Sequence, residues 1–345
     1  MTKENRPRAG KKIINIALQG GGSHGAFAWG VLDRLLEEPN IAVEGVVGTS
    51  AGAMNAAVIA YGLTVGGNEG ARAKLTEFWR AISETTRFSP LQPSWPDRSQ
   101  KPGSLDHSPG YLFMDMLSRF FSPYELNPLN HNPLRDVLSR VIDFEALRTG
   151  GKVKLFTCAA NVLTGRLRVF ECHEQSVDTV LASACLPYMF QAVEINGEHY
   201  WDGGYMGNPP IFPLIYQCES RDVVVVMINP IAIDKVPTSA RAIMDRINTL
   251  SFNSSLMREM RAINFVSRLV DGGFDDEGRL KKMLIHCIDA EEKMRELGES
   301  SKLNANWDFL MYLHELGRER GEAFLHAHYD KLGRESSTPI ADRFL

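Results

Sequence analysis

The sequence predicts an α/β fold in which a mainly parallel sheet is covered by helices on both faces. Three observations carry this. Short runs rich in isoleucine and valine recur without polar alternation, as strands buried on both faces require. The first two runs are each followed by a stretch with helical apolar spacing, the strand–helix order that sets strands parallel. Glycines gather where the first two runs give way to their helices.

Residues 13–18 form the first apolar run, bounded by a glycine cluster, and read as a buried strand. Over 25–38, Phe27, Val31, Leu32, Leu35 and Leu36 fall at helical spacing, closed by Glu37, Glu38 and Pro39. Residues 41–47 read as the second strand, and 51–61 and 71–82 as two further helices. From 88 to 110, prolines at 90, 93, 96, 102 and 109 argue against regular structure. The stretch 111–121 that follows holds eight apolar residues in eleven. It reads as an acyl channel or membrane-facing lid, or as a segment buried beneath the proline-rich loop or in an oligomer interface. Residues 152–161 and 167–172 flank Thr164-Gly165 and read as paired strands. Residues 223–229 and 283–288 read as buried strands, and 254–270 and 306–332 as closing helices. No repeat or linker interrupts the chain, so one domain is expected over 13–345, its part from 230 on a helical extension. A basic tail is expected over 1–12.

The chain has 345 residues, 44% apolar and 23% charged, with a net charge of −4. That excludes a collagen-like, disulfide-scaffold or mainly disordered chain. The mild acidity argues against sequence-independent nucleic-acid binding. Five cysteines (158, 172, 185, 218 and 287) are odd in number, widely spaced and without a CxxC. They read as reduced thiols, and so as a cytoplasmic protein. Lys3, Arg6, Arg8, Lys11 and Lys12 outnumber Glu4 at the start, and no apolar segment follows. This reads as a solvated tail rather than a secretory signal, with weak attraction to anionic lipid as the sharper alternative. Residues 45–68 carry no charge but contain six glycines and two asparagines. They read as a buried strand, turn and helix rather than a membrane span.

Three motifs carry chemistry. Gly20-Gly21-Gly22-Ser23-His24-Gly25 lies between a strand and a helix, where exposed N–H groups and the helix N-terminus favour a negative group. Its spacing also fits the dinucleotide fingerprint. That pattern expects an acidic residue ending the second strand, whereas Glu44 lies mid-strand. Gly48-Thr49-Ser50-Ala51-Gly52 fits the nucleophile elbow, whose small residues permit a turn that lifts a serine hydroxyl from the sheet. Trp201-Asp202-Gly203-Gly204 by itself reads as a turn. Ser50 needs a base, and by position His286 is the candidate for a Ser-His-Asp arrangement.

In this order the three motifs resemble the patatin-like phospholipase family. Asn127-Pro128, residues 132–136 (Asn-Pro-Leu-Arg-Asp), 182–187 (Ala-Ser-Ala-Cys-Leu-Pro) and Asn208-Pro209-Pro210 add to the resemblance, which covers about 13–229. It implies a three-layer α/β/α sandwich and a lipid acyl hydrolase with a Ser-Asp dyad, no metal and no other cofactor. Ser50 is thereby the expected nucleophile and Asp202 the base. Gly20, Gly21, Gly22 and Ala51 are expected to form the oxyanion hole, with Gly25, Gly48, Gly52, Gly203 and Gly204 shaping the turns. The implied partner is an acyl lipid, with room for peripheral membrane contact and none for nucleic acid. Head group, chain length and oligomeric state stay open. His24 stands where the family usually has Arg or Lys. A neutral imidazole there can hydrogen-bond, or titrate near neutrality. An aspartate is a weak base at pH 7 unless burial raises its pKa. Two alternatives stay open: a Ser-His-Asp esterase or thioesterase using His286, and a nucleotide- or anion-binding module built on the glycine loop. His326 and His328 have the wrong spacing for a metal pair on one helix face. Cys185 reads as an inert buried thiol, and 271–278 as an exposed acidic loop.

Overall fold

A computed structural model describes residues 11–345 apart from Phe88, Asp275, Asp276 and Gly278 and the side chains of Gln100 and Arg241. Most of the basic start and the middle of the 271–278 loop therefore lie outside the described residues. Lys12, expected in the tail, instead opens the first strand, and its Nζ donates to the Leu332 carbonyl at 2.6 Å.

The eight strands are β1 (Lys12–Leu18), β2 (Ile41–Gly48), β3 (Lys154–Asn161), β4 (Leu167–Glu171), β5 (Val193–Ile195), β6 (Glu198–Asp202), β7 (Asp222–Val226) and β8 (Leu284–Ile288). They form one sheet in the order β5-β6-β3-β2-β1-β7-β8, with β4 on the far edge of β3. Strands β3, β2, β1, β7 and β8 pair in parallel; β4, β5 and β6 pair antiparallel. Alternation inside the apolar runs sorts side chains to two cores, as the period of a strand dictates. Ile14, Ile16, Leu18, Val224 and Val226 pack in one layer. Ala17, Val47, Val223, Val225 and Ile285 pack in the other. The expected three-layer α/β/α sandwich is thus present.

Helices α1 (Gly25–Leu36) and α2 (Ala51–Thr86) cover the first face. The two helices expected at 51–61 and 71–82 are one run, bent at Gly67, whose φ of 62° and ψ of −154° break the helical path. The proline-rich stretch is less irregular than expected. It contains α3 (Trp95–Gln100), and Pro109 opens α4 (Pro109–Ser118). Pro96 and Pro109 sit in first helical turns, where the missing N–H costs nothing, and Ser94 and Ser108 cap those turns. On the second face lie α5 (Phe212–Gln217) and α6 (Ala240–Asp271). Residues 230–345 do more than extend the fold: they add β8 to the sheet and lay α7 (Trp307–His328) across α1. No described helix is long and apolar enough to cross a membrane.

The α1–α7 crossing is closer than side chains permit. A Cβ on Gly30 would stand 1.9 Å from the His314 carbonyl oxygen, and one on Gly317 would stand 2.1 Å from that of Phe27. Backbone cannot yield as a side chain does. Gly30→Ala is therefore expected to cost about 2–3 kcal/mol or more, read as a lowered melting temperature. Gly66→Ala, whose added Cβ meets nothing within 4 Å, is expected to cost nothing.

Candidate active site

The strand order places the site. From β1 the chain steps to β2 and β3 on one side, while β7 joins the other side of β1. At such a reversal the loops at the carboxyl ends of neighbouring strands diverge and leave a crevice. The glycine loop leaves β1 there, and the elbow leaves β2 beside it.

Ser50 has φ 56° and ψ −125°, a strained conformation for a residue with a Cβ. The turn survives because its neighbours give way. A Cβ on Gly48 would lie 2.2 Å from the Gly52 carbonyl oxygen, and one on Gly52 2.3 Å from that of Leu18. The Ser50 N–H donates to Ser183 Oγ at 3.0 Å. Serine at a helix start usually turns its hydroxyl back to cap the first turn. Ser50 does not, so its Oγ is left for other partners. The residue is 8% exposed.

Asp202 reaches Ser50 through an edge that β2 leaves unused. One edge of β3 pairs with β2 over Lys154–Thr157 and the other with β4. Past Thr157 the β2 edge is vacant, and antiparallel β6 fills it, with Asp202 opposite Ala159. Thr157 itself faces Gly48, so the end of β6 meets the elbow. Asp202 is fully buried. Its Oδ1 accepts from the Gly204 N–H at 2.7 Å. Its Oδ2 has no well-formed hydrogen bond, although the nearby Ser50 hydroxyl still favours the ionised form. Burial pushes the carboxyl up to about 7, against the pull of the Gly204 N–H and the Ser50 hydroxyl. A Cβ on Gly203 would strike the Cys158 carbonyl, and one on Gly204 the ring of Phe252 in α6.

The glycine loop lies against the elbow: a Cβ on Gly20 would stand 2.6 Å from Ser50 Cβ. The four expected oxyanion donors are not equivalent. The Gly20 N–H already donates to Asn208 Oδ1 at 2.6 Å. Those of Gly21, Gly22 and Ala51 have no acceptor among the described residues. Gly25 packs on Ala51 and Trp79. His24 is buried and shares a 2.7 Å hydrogen bond with Ser301. Burial, aided by Lys302, pushes its pKa down to about 3, so the imidazole is neutral and does not titrate near pH 7.

His286 is not brought to Ser50. It sits on β8, three strands from β2, on the order of 14 Å across the sheet. Nε2 bonds Asp222 at 3.0 Å and Nδ1 bonds Ser337 at 2.9 Å, fastening the 333–338 segment to the sheet edge. No group of metal-binding side chains occurs among the described residues. All five cysteines are free, and burial pushes Cys158 and Cys185 up to about 12. Residue-by-residue reading missed the buried amides Gln19, Asn229 and Asn253 around Gly20. Ser183 and Asn208 stood in motifs with no role attached. Gln19 and Asn229 just follow buried strands, the only signal they carry in the sequence, and Asn253, inside a helix, carries none.

The sequence profile of the patatin-like phospholipase family matches residues 16–215, more than half of the chain. No curated protein matches the chain. Among solved structures, VipD from Legionella pneumophila is 16% identical over 100% of this chain and 78% of its own, with a TM-score of 0.47. ExoU in the heterodimeric ExoU–SpcU complex of the Pseudomonas aeruginosa type III secretion system is 17% identical over 94% of this chain, with a TM-score of 0.38. The chain spans about half of ExoU, 53% of its length. The match over 16–215 settles the membership: the chain belongs to the patatin-like phospholipase family, whose members are lipid acyl hydrolases.

Proposed function

We propose that the protein hydrolyses carboxylic esters of acyl lipids through a Ser50–Asp202 dyad. The observation that carries this is a serine hydroxyl, unused for capping, beside a buried carboxylate with one unpaired oxygen. Asp202 Oδ2 takes the Ser50 proton as Oγ attacks the ester carbonyl. The resulting oxyanion faces the N–H groups of Gly21, Gly22 and Ala51. Gly20, whose N–H is spent on Asn208, shapes the loop. Collapse breaks the ester C–O bond, and the proton on Asp202 goes to the leaving alcohol. Water then attacks the acyl-Ser50, giving its proton to Asp202, and the fatty acid leaves as Ser50 recovers a proton. The Ser-His-Asp alternative lacks a base within reach, because both His286 nitrogens are engaged three strands away.

The apolar surface beside the dyad supports a lipid substrate. Helix α4 buries none of its residues, and Leu112, Phe113 and Met116 on it are exposed. Phe120, 77% exposed, and Leu129, 91% exposed, continue the surface. This segment is linked to Asp202 step by step: Tyr124 accepts from Ala192 N–H, Gln191 donates to the Asn127 carbonyl and accepts from Cys185 Sγ at 3.1 Å, and the Asp202 N–H donates to the Cys185 carbonyl at 2.8 Å. On α6, Ile243, Met244, Ile247 and Leu250 are exposed within the nine residues before Phe252, which packs on Tyr205. Apolar area on this scale around a lipid hydrolase's mouth fits peripheral contact with a lipid surface.

Ser50→Ala is expected to abolish fluorophosphonate labelling and bring ester turnover to background. Asp202→Asn should lose activity with the fold intact. Full activity in either variant would sink the dyad, and loss in His286→Ala with Asp202→Asn active would restore the triad.

The base must be ionised, so kcat/KM is expected to rise with pH through about 7. Stability runs the other way. The folded pKa of Asp202 lies above the unfolded value of 3.8. Between these values the unfolded chain has released a proton that the folded protein keeps, so stability falls as pH rises from about 4 to 7 and stays low above. Asp202→Asn should therefore be more stable to unfolding than wild type at pH 8, by on the order of a few kcal/mol, with the gain vanishing below about pH 4. An unchanged difference across that range would contradict the raised pKa.

Phe113→Asp and Phe120→Asp are expected to impair long-chain esters more than short-chain ones and to weaken sedimentation with phospholipid vesicles. Each apolar methylene contributes about 0.8 kcal/mol, so long chains lose most. Equal loss on both substrates with a lowered melting temperature would mark ordinary core.

A further inference from the structure

We infer that Asn208 and Asn229, held in place by Gln19 and Asn253, are positioning residues that grip Gly20 from both sides, Asn208 at the N–H of the peptide before it and Asn229 at the carbonyl of the peptide after it, and so lock the peptide between Gly20 and Gly21 in one orientation. This rests on the reading of Ser50 and the glycine loop given above. All four amides are buried, and they come from four places: the end of β1, the turn after β6, the end of β7 and the body of α6. They converge because β1 and β7 pair to their last residues, Leu18 opposite Val226, so the chains beyond part from one point.

The bonds of the cluster hold Gly20 and tie the amides that hold it to one another and to the neighbouring backbone. Asn208 Oδ1 accepts from the Gly20 N–H at 2.6 Å. Asn229 Nδ2 donates to the Gly20 carbonyl at 2.8 Å, with Asn208 Nδ2 more distant at 3.5 Å. Gln19 Oε1 accepts from the N–H groups of Ile228 and Asn229 at 2.9 and 3.0 Å. Its Nε2 donates to the Asn208 carbonyl and to Asn253 Oδ1. Asn253 Nδ2 donates in turn to the Pro230 carbonyl at 3.1 Å.

The need for such a clamp follows from the glycines. A peptide flanked by two glycines has little steric preference for either face. Turning it over would present a carbonyl oxygen where an N–H is required, and would repel a developing oxyanion. Because the peptide is planar and trans, holding the Gly20 carbonyl toward Asn229 sends the Gly21 N–H to the opposite side. Amides suit the task because each both donates and accepts, and because they bring no charge near Asp202.

The test uses the full chain with a long-chain ester and a trifluoromethyl ketone, which binds as a tetrahedral adduct with an oxyanion. Asn229→Leu and Asn208→Leu are expected to lower kcat about ten- to a hundredfold, with KM within about threefold. Affinity for the ketone should fall in proportion to kcat. Asn229→Ser, which restores a hydroxyl donor, should recover part of both and serves if the leucine variant does not fold. A wild-type kcat in a folded Asn208 or Asn229 variant would overturn the clamp, as would a loss carried by KM alone. Ser50→Ala runs in the same assay: if it stays active the reading of the dyad fails, and if only the asparagine variants stay active the clamp fails by itself.

Discussion

The site depends on β3 having more edge than β2 uses. A strand has two hydrogen-bonding edges, and an edge left open must be paired or covered. Because β2 turns away at Gly48 to make the elbow, the rest of that edge passes to β6, which arrives antiparallel with Asp202 as its last residue. The same event that frees the edge thus delivers the serine, and filling the edge delivers the carboxylate. Neither residue needs a long loop to find the other.

That geometry is tight, and its cost falls on backbone. Ser50 is strained, Asp202 is buried with a half-satisfied carboxylate, and several glycines stand where any Cβ would meet the backbone of a neighbouring segment. Strain of about 1–3 kcal/mol persists only where the surroundings hold it. Here the holders are neutral hydrogen bonds, from Ser183 to the elbow and from the buried amides to the glycine loop. A charged holder beside Asp202 would move its pKa.

The later part of the chain closes the back of the site. A Cβ on Gly22 would stand 2.3 Å from the Lys302 carbonyl oxygen, and Ser301 takes the ring of His24. A buried Arg or Lys at position 24 would need a partner for its charge. A neutral histidine needs only the serine that is there. Helix α7 presses on α1, the helix that the glycine loop opens, so residues beyond the matched family segment bear on the loop that lines the crevice.

Much was legible in the sequence. Short runs rich in isoleucine and valine at β1, β2, β7 and β8, five to eight residues long, fit buried strands better than helices, and GTSAG between a strand and a helix marks an elbow. Local steric rules act within a few residues, so these elements and Ser50 could be read directly. What joins distant residues could not. A buried position for Asp202, the partner of His286 and the distinction between Gly20 and Gly21 as donors are set by strand order and by which edge is vacant. Single asparagines carry no periodic signal, so this amide cluster was invisible until β1, β7 and α6 stood side by side. The sequence by itself determined the elements and the elbow that carries Ser50. The tertiary structure decided which polar groups meet, because hydrogen bonds between residues hundreds of positions apart depend on the packing that excludes water around them.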